Sequence, residues 1–115
     1  SDTFYQFGMP LMAQLGHPTL LCHRLEIADD RIVGYTLRQP NAKAQCVRAF
    51  QLPNLRCIAT GDSYNDTSML GQAEAGILFD APQRVIDEFG QFESTTDYDG
   101  LRAAFTRASA KIATR

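Results

Sequence analysis

What most constrains this chain lies between residues 55 and 79. An apolar run at 55–60 ends in Gly61-Asp62, a stretch at 65–73 carries Met69, Leu70 and Ala73 at helical spacing, and a second apolar run fills Ala75–Phe79. Short apolar runs bounded by polar turns and separated by a helix-period segment read as strand, polar loop, helix and buried strand. Strands alternating with helices imply an α/β fold on a parallel sheet. The pattern continues downstream: Pro82 suits the first turn of a helix reaching Phe89, and Leu101, Phe105, Ala108 and Ile112 define a final amphipathic helix.

Upstream, Phe4, Phe7, Leu11 and Leu15 fall near helical spacing, with Pro10 as a breaking point and Gly16 at the exit. Segments 19–27 and 31–37 are extended in pattern, and the Ala28-Asp29-Asp30 tip between them predicts a β-hairpin over 19–37. Asn41 is placed to cap a helix to Phe50 with Val47 and Phe50 facing inward, and Leu52-Pro53-Asn54 stops it. With 115 residues and no repeat, linker or low-complexity tract, the expectation is one domain with one core.

Composition narrows the function classes. Apolar residues at 44% and charged residues at 21% exclude wholesale disorder. Eleven Lys and Arg against thirteen Asp and Glu leave a formal charge of −2, which favours neither nucleic acid nor an anionic membrane as partner. The longest apolar runs, 19–22 and 76–79, fall far short of the roughly 18 residues that cross a bilayer. No secretory pattern opens the sequence, and Cys22, Cys46 and Cys57 are odd in number without CxxC spacing, so they read as reduced, packed thiols of a cytoplasmic protein. His17 and His23 lack metal-like spacing and read as loop and strand residues.

In a parallel sheet ligands bind beyond the carboxyl ends of the strands, which directs attention to the loop 61–66. Asp62 and Asp66, one at a strand end and one entering a helix, are hard oxygen donors of the kind that suits Mg²⁺, with Asp62 as direct ligand and Asp66 as its support. The alternative is that Asp62, Ser63 and Asn65 turn the chain and cap the helix. Lys43 is the second oddity: a cation in the first turn of a helix opposes the helix dipole by roughly 0.3–1 kcal/mol. A bound phosphate would compensate it, whereas the plainer reading is a solvated surface lysine.

Gly-Asp-Ser-Tyr-Asn-Asp at 61–66, Lys43 upstream and Ser-Asp-Thr-Phe at 1–4 together resemble motifs IV, III and II of the haloacid dehalogenase (HAD) phosphatases. SDTFYQF, PTLLCHRLEI, GDSYNDTSML and AGILF resemble the phosphoserine phosphatase branch, which includes bifunctional phosphoserine:homoserine phosphotransferases. The resemblance runs through almost the whole chain and implies a Rossmannoid three-layer sandwich that transfers phosphoryl groups through an aspartyl-phosphate, with Mg²⁺ as cofactor and phosphoserine as substrate. By the same resemblance Ser1 hydrogen-bonds a phosphate oxygen, Asp2 and Asn65 contact substrate, and Lys43 neutralises phosphate and nucleophile. Asp62 ligates the metal, and Asp66 supports its surroundings. Nothing beyond packing carries over to Cys46, Cys57 or Tyr64.

The departure is the nucleophile, which in the family belongs to an Asp-x-Asp or Asp-x-Glu motif on the first strand. Asp97-Tyr98-Asp99 has that spelling, but 93–96 before it is no buried strand and Gly100 follows, so it reads as a loop before the last helix. The expectation is therefore the C-terminal portion of a longer enzyme, an incomplete core lacking the family's first two strands and inactive alone. Its sheet would be open beside 55–60 and prone to self-association. The alternative is a non-catalytic Mg²⁺- or phosphate-binding, or protein-interaction, module. The apolar residues of the hairpin serve either reading as core, or help to close or dimerise a full enzyme.

Overall fold

The computed structural model describes residues 1–114 and divides the chain into two compact units, Ser1–Ala42 and the segment from Lys43 onward. The reason lies in the hydrogen bonding: the hairpin closes on itself as a two-stranded sheet, while the remaining strands form a separate three-stranded one.

In the first unit, helix α1 (Tyr5–Gln14) runs unbroken through Pro10. It ends where Gly16 and His17 take left-handed φ values of 80° and 58° and the His17 N–H reaches back to the Met12 carbonyl. Its inward side is not the expected apolar stripe: Phe7, Leu11 and Leu15 are 62%, 52% and 62% exposed. Gly8 is buried instead, because a Cβ there would meet Leu20 Cδ2 at 2.7 Å. Strands β1 (Arg24–Ala28) and β2 (Arg31–Thr36) form the hairpin, with an irregularity between Glu26 and Ile27. Asp29 and Asp30 both have positive φ, 51° and 57°, the signature of a type I′ turn whose twist matches paired strands. Residues 19–22, expected as strand, lie outside it. His23 contributes only a bridge to Phe4 and is buried, its Nδ1 accepting the Arg38 N–H at 2.9 Å.

In the second unit, helix α2 (Ala42–Gln51) buries Ala44 and Val47, but Phe50 stays 47% exposed. Asn41 does not take the extended backbone of a capping residue; its φ is 50°. Strand β3 (Ile58–Gly61), helix α3 (Tyr64–Gln72), strand β4 (Ala75–Phe79) and helix α4 (Gln83–Glu88) follow the expected order. β3 is shorter than the apolar run because the Cys57 N–H is taken by the Glu74 carboxylate rather than by a strand. Strand β5 (Glu93–Thr95) was not expected: its residues are polar, yet it pairs in parallel with β4 at Ile77–Glu93 to Phe79–Thr95. Helix α5 (Tyr98–Ala113) closes the chain, and Asp97 caps it by accepting the Gly100 N–H, which gives the Asp97-Tyr98-Asp99 spelling a structural role.

The sheet order is β3-β4-β5, all parallel. Alternation sends Ala59 and Leu78 to one face, where they pack with Leu70 of α3 and Val85 of α4. Ile77 and Phe79 point to the other face, where Phe79 stacks on Tyr98 of α5 at 5.3 Å and Ala104 is fully buried. The second unit is thus a three-layer α/β/α sandwich. The outer edge of β3 has no strand partner among the described residues. None of the described helices is long and apolar enough to cross a membrane.

Candidate active site at the carboxyl end of β3

The site is built where β3 ends and α3 begins. Ser63 is the N-cap of α3, with extended backbone, and forms a capping box with Asp66 at the third helical position. Of Asp62, Ser63 and Asn65, read as turning the chain and capping the helix, Ser63 is the N-cap, with Asp66 as its capping-box partner. Asp66 does more than cap. It is 5% exposed, and four donors converge on its carboxylate: Lys43 Nζ at 2.7 Å on Oδ1, then the Asp62 N–H at 3.0 Å, the Ser63 N–H at 3.2 Å and Ser63 Oγ at 3.3 Å on Oδ2. Oδ2 takes three of these donors and Oδ1 one, so both oxygens of the carboxylate are engaged. Burial pushes the Asp66 carboxyl up, but the Lys43 ammonium and the Asp62 and Ser63 N–H groups outweigh it and hold the carboxyl below its ordinary value.

Gly61 makes this approach possible. A Cβ on Gly61 would lie 2.4 Å from Asp66 Cβ and 2.6 Å from Oδ2, distances that no side chain tolerates. The sequence placed Gly61 at the head of the 61–66 motif without a role of its own; its position immediately before an acidic loop was the available signal. Lys43, the second residue of α2, has a side chain only 21% exposed, so it is not a solvated surface lysine. Asp66 supplies the negative charge that offsets its unfavourable place in the helix dipole.

Asp62 and Asn65 stand differently: both are exposed, and it is the Asp62 N–H, not its carboxylate, that Asp66 holds. The structure thus brings Lys43, Asp62, Asn65 and Asp66 together around one loop. Ser1 and Asp2 belong to the first unit, where Ser1 Oγ accepts the Thr3 N–H at 3.4 Å and Asp2 Oδ1 lies 3.6 Å from His23 Nε2. Tyr64, which sequence reading left as packing, is 42% exposed and donates its hydroxyl to Glu88 of α4. That bond pushes the phenol up from its ordinary value. All three cysteines are free, with Cys22 buried and Cys46 and Cys57 half-buried; burial pushes the Cys57 thiol up.

The donor set fits Mg²⁺ in one respect. Mg²⁺ is commonly held by one or two carboxylates completed by water and phosphate oxygens, and Asp62 offers such a hard oxygen on the surface while Asp66 holds the loop beneath it through the Asp62 and Ser63 N–H groups. No group of three or more His, Cys, Asp or Glu residues among those described forms a protein-only metal cage.

The second unit thus carries a buried carboxylate under an acidic loop at the end of a parallel strand, paired to a lysine from a neighbouring helix, in an α/β fold. The fold has a solved counterpart in a probable phosphoserine phosphatase from Vibrio cholerae, which superposes with a TM-score of 0.74 at 20% identity over 96% of this chain and 38% of that one. In sequence, the chain is 59% identical over 112 residues to phosphoserine phosphatase ThrH of Pseudomonas aeruginosa, covering 96% of this chain and 55% of that protein. It is 60% identical over 111 residues to a phosphoserine phosphatase of Pseudomonas syringae pv. tomato, covering 95% and 46%. No family model matches the chain. The chain is a close sequence relative of the phosphoserine phosphatases and spans about half the length of the curated relatives it matches.

Proposed function

We propose that this chain is the phosphate- and metal-holding portion of a Mg²⁺-dependent phosphoserine phosphatase core of the HAD type. The observation that carries the reading is the Lys43–Asp66 pair at 2.7 Å beneath an exposed Asp62, in a sequence 59% identical to a phosphoserine phosphatase. In this reading Lys43 draws the phosphate of phosphoserine to the loop and balances its charge. Asn65 hydrogen-bonds the substrate, and for Ser1 and Asp2 a substrate role rests on the family resemblance of the sequence alone. Asp62 would hold Mg²⁺, which supplies charge neutralisation and orientation of the phosphoryl group when bound. Asp66 keeps Lys43 and the Asp62 backbone in place.

The covalent step needs a carboxylate nucleophile. Asp97 and Asp99 do not offer it, because Asp97 is engaged as the cap of α5 and Asp99 lies in that helix's first turn. In this reading the 115 residues alone bind phosphate without turning it over, and transfer to homoserine, like hydrolysis, belongs to a protein that also carries the nucleophile. Three cysteines, odd in number and without CxxC spacing, support a reducing, cytoplasmic setting. Charge balance supports a small phosphorylated amino acid, rather than nucleic acid or membrane, as partner.

A second reading, a non-catalytic Mg²⁺/phosphate or interaction module that self-associates, is favoured by the unpartnered edge of β3. Two measurements separate the readings: the intact mass of the native protein, and phosphate release from phosphoserine with and without Mg²⁺. A native mass well above 12.8 kDa with Mg²⁺-dependent release supports the phosphatase; a native 12.8 kDa species that is inactive and self-associates supports the module.

A further inference from the structure

The loop 61–66 is anchored from beneath by Asp66, and a second set of contacts holds it from the side. Tyr64 is the first residue of α3, directly after the Ser63 cap. Three groups from α4 and its end converge on it: its hydroxyl donates to Glu88, the Arg84 guanidinium lies 5.6 Å from its ring centre, and Phe89 meets the ring edge-on at 5.8 Å and 75°. An exposed Tyr–Glu pair alone would mean little. Convergence of a hydrogen bond, a cation–π contact and an aromatic edge on one ring fixes its direction. This bracket ties the start of α3, directly after the loop at the carboxyl end of β3, to α4 and its C-cap.

We propose that Tyr64 is a positioning residue: its hydroxyl, held by Glu88, fixes the loop that presents Asp62 and Asn65. This rests on the phosphatase reading only for what the loop presents, not for how it is held. Tyr64 touches neither phosphate nor metal in this scheme; it limits how far the loop moves away from Asp66.

The test uses the 115-residue chain and NMR-detected hydrogen exchange at the Asp62 and Ser63 amides, both of which donate to Asp66. Tyr64→Phe keeps the ring contacts and removes the hydroxyl, and Glu88→Ala removes the acceptor. Each accelerates exchange at these two amides about five- to tenfold, as expected when one charge-assisted hydrogen bond is lost from a local opening. The double variant is no faster than either single one, and Glu88→Gln, which retains an acceptor, restores most of the protection. Core amides of Leu70 and Leu78 are unaffected. Unchanged exchange at Asp62 and Ser63 in Tyr64→Phe, or equal acceleration in the core, overturns the proposal. A Mg²⁺ titration of the same samples reads the consequence, with several-fold weaker binding in Tyr64→Phe. Failure of the unsubstituted chain to bind Mg²⁺ would count against the metal reading of Asp62, while the exchange comparison still decides the role of Tyr64.

Discussion

Replacing Lys43 with methionine separates the two halves of the central ion pair. Lys43→Met keeps the length of the stem and removes the ammonium, leaving Asp66, 5% exposed, with two backbone N–H groups and the Ser63 hydroxyl but no positive charge. Loss of a charge-assisted hydrogen bond to a buried carboxylate costs about 1.5–3 kcal/mol. Removing a cation from the first turn of α2 returns about 0.5 kcal/mol by relieving the helix dipole. The net expectation is a loss of about 2 kcal/mol, below the ~3–5 kcal/mol for a fully buried pair, because three donors remain on Asp66.

The pH dependence sharpens this prediction. The Asp66 carboxyl lies below its ordinary value in the folded protein, so its contribution is complete above the unfolded-chain value of about 3.9 and disappears as pH falls through the lower folded value. In Lys43→Met the largest lowering influence is gone while burial still pushes the carboxyl up, so this contribution shrinks or reverses. The difference between the two proteins is therefore largest near neutral pH and narrows below about pH 4. Urea unfolding followed by NMR at Leu70 and Leu78 reads the second unit specifically. A difference under about 0.5 kcal/mol at pH 7, or one equally large in acid, refutes the reasoning.

Other substitutions probe the supports. Gly61→Ala forces a Cβ to within 2.4 Å of Asp66 and destabilises the second unit by about 1–3 kcal/mol, with loss of protection at the Asp62 amide; the same unfolding and exchange experiments measure both effects. Asp97→Ala removes the cap of α5 and costs about 1 kcal/mol in urea unfolding, with fraying confined to the first turn of that helix. In the first unit, Asp30→Gly relieves a φ of 57° in the hairpin turn and strengthens β1–β2 pairing by up to about 1 kcal/mol, seen as slower exchange at strand amides.

The legible and illegible parts of this fold differ for physical reasons. Ala75–Phe79 was bounded correctly because β4 is the central strand, covered on both faces, and so must be a continuous apolar run. β5 was missed because an edge strand of Glu93, Ser94 and Thr95 is held by backbone pairing and leaves no hydrophobic pattern. On α1, spacing alone could not reveal that the close contact uses Gly8, where the absence of a side chain is the packing feature. At the site, the residue types in 61–66 and Lys43 pointed to one loop, and the structure does bring Lys43 to that loop through Asp66. The contacts were less readable: the Asp62 and Ser63 donors on Asp66 are local, whereas the Lys43–Asp66 pair and the Tyr64–Glu88 contact depend on tertiary neighbours 23 and 24 residues away.

The most direct test of the account is an NMR titration of the 115-residue chain with Mg²⁺ and inorganic phosphate, alongside Asp62→Asn and Lys43→Met. The account predicts saturable shifts at the amides of Asp62, Ser63 and Asn65, loss of the Mg²⁺ response in Asp62→Asn and weakened phosphate binding in Lys43→Met. Shifts that are absent, scattered over the surface, or identical in all three proteins would contradict it.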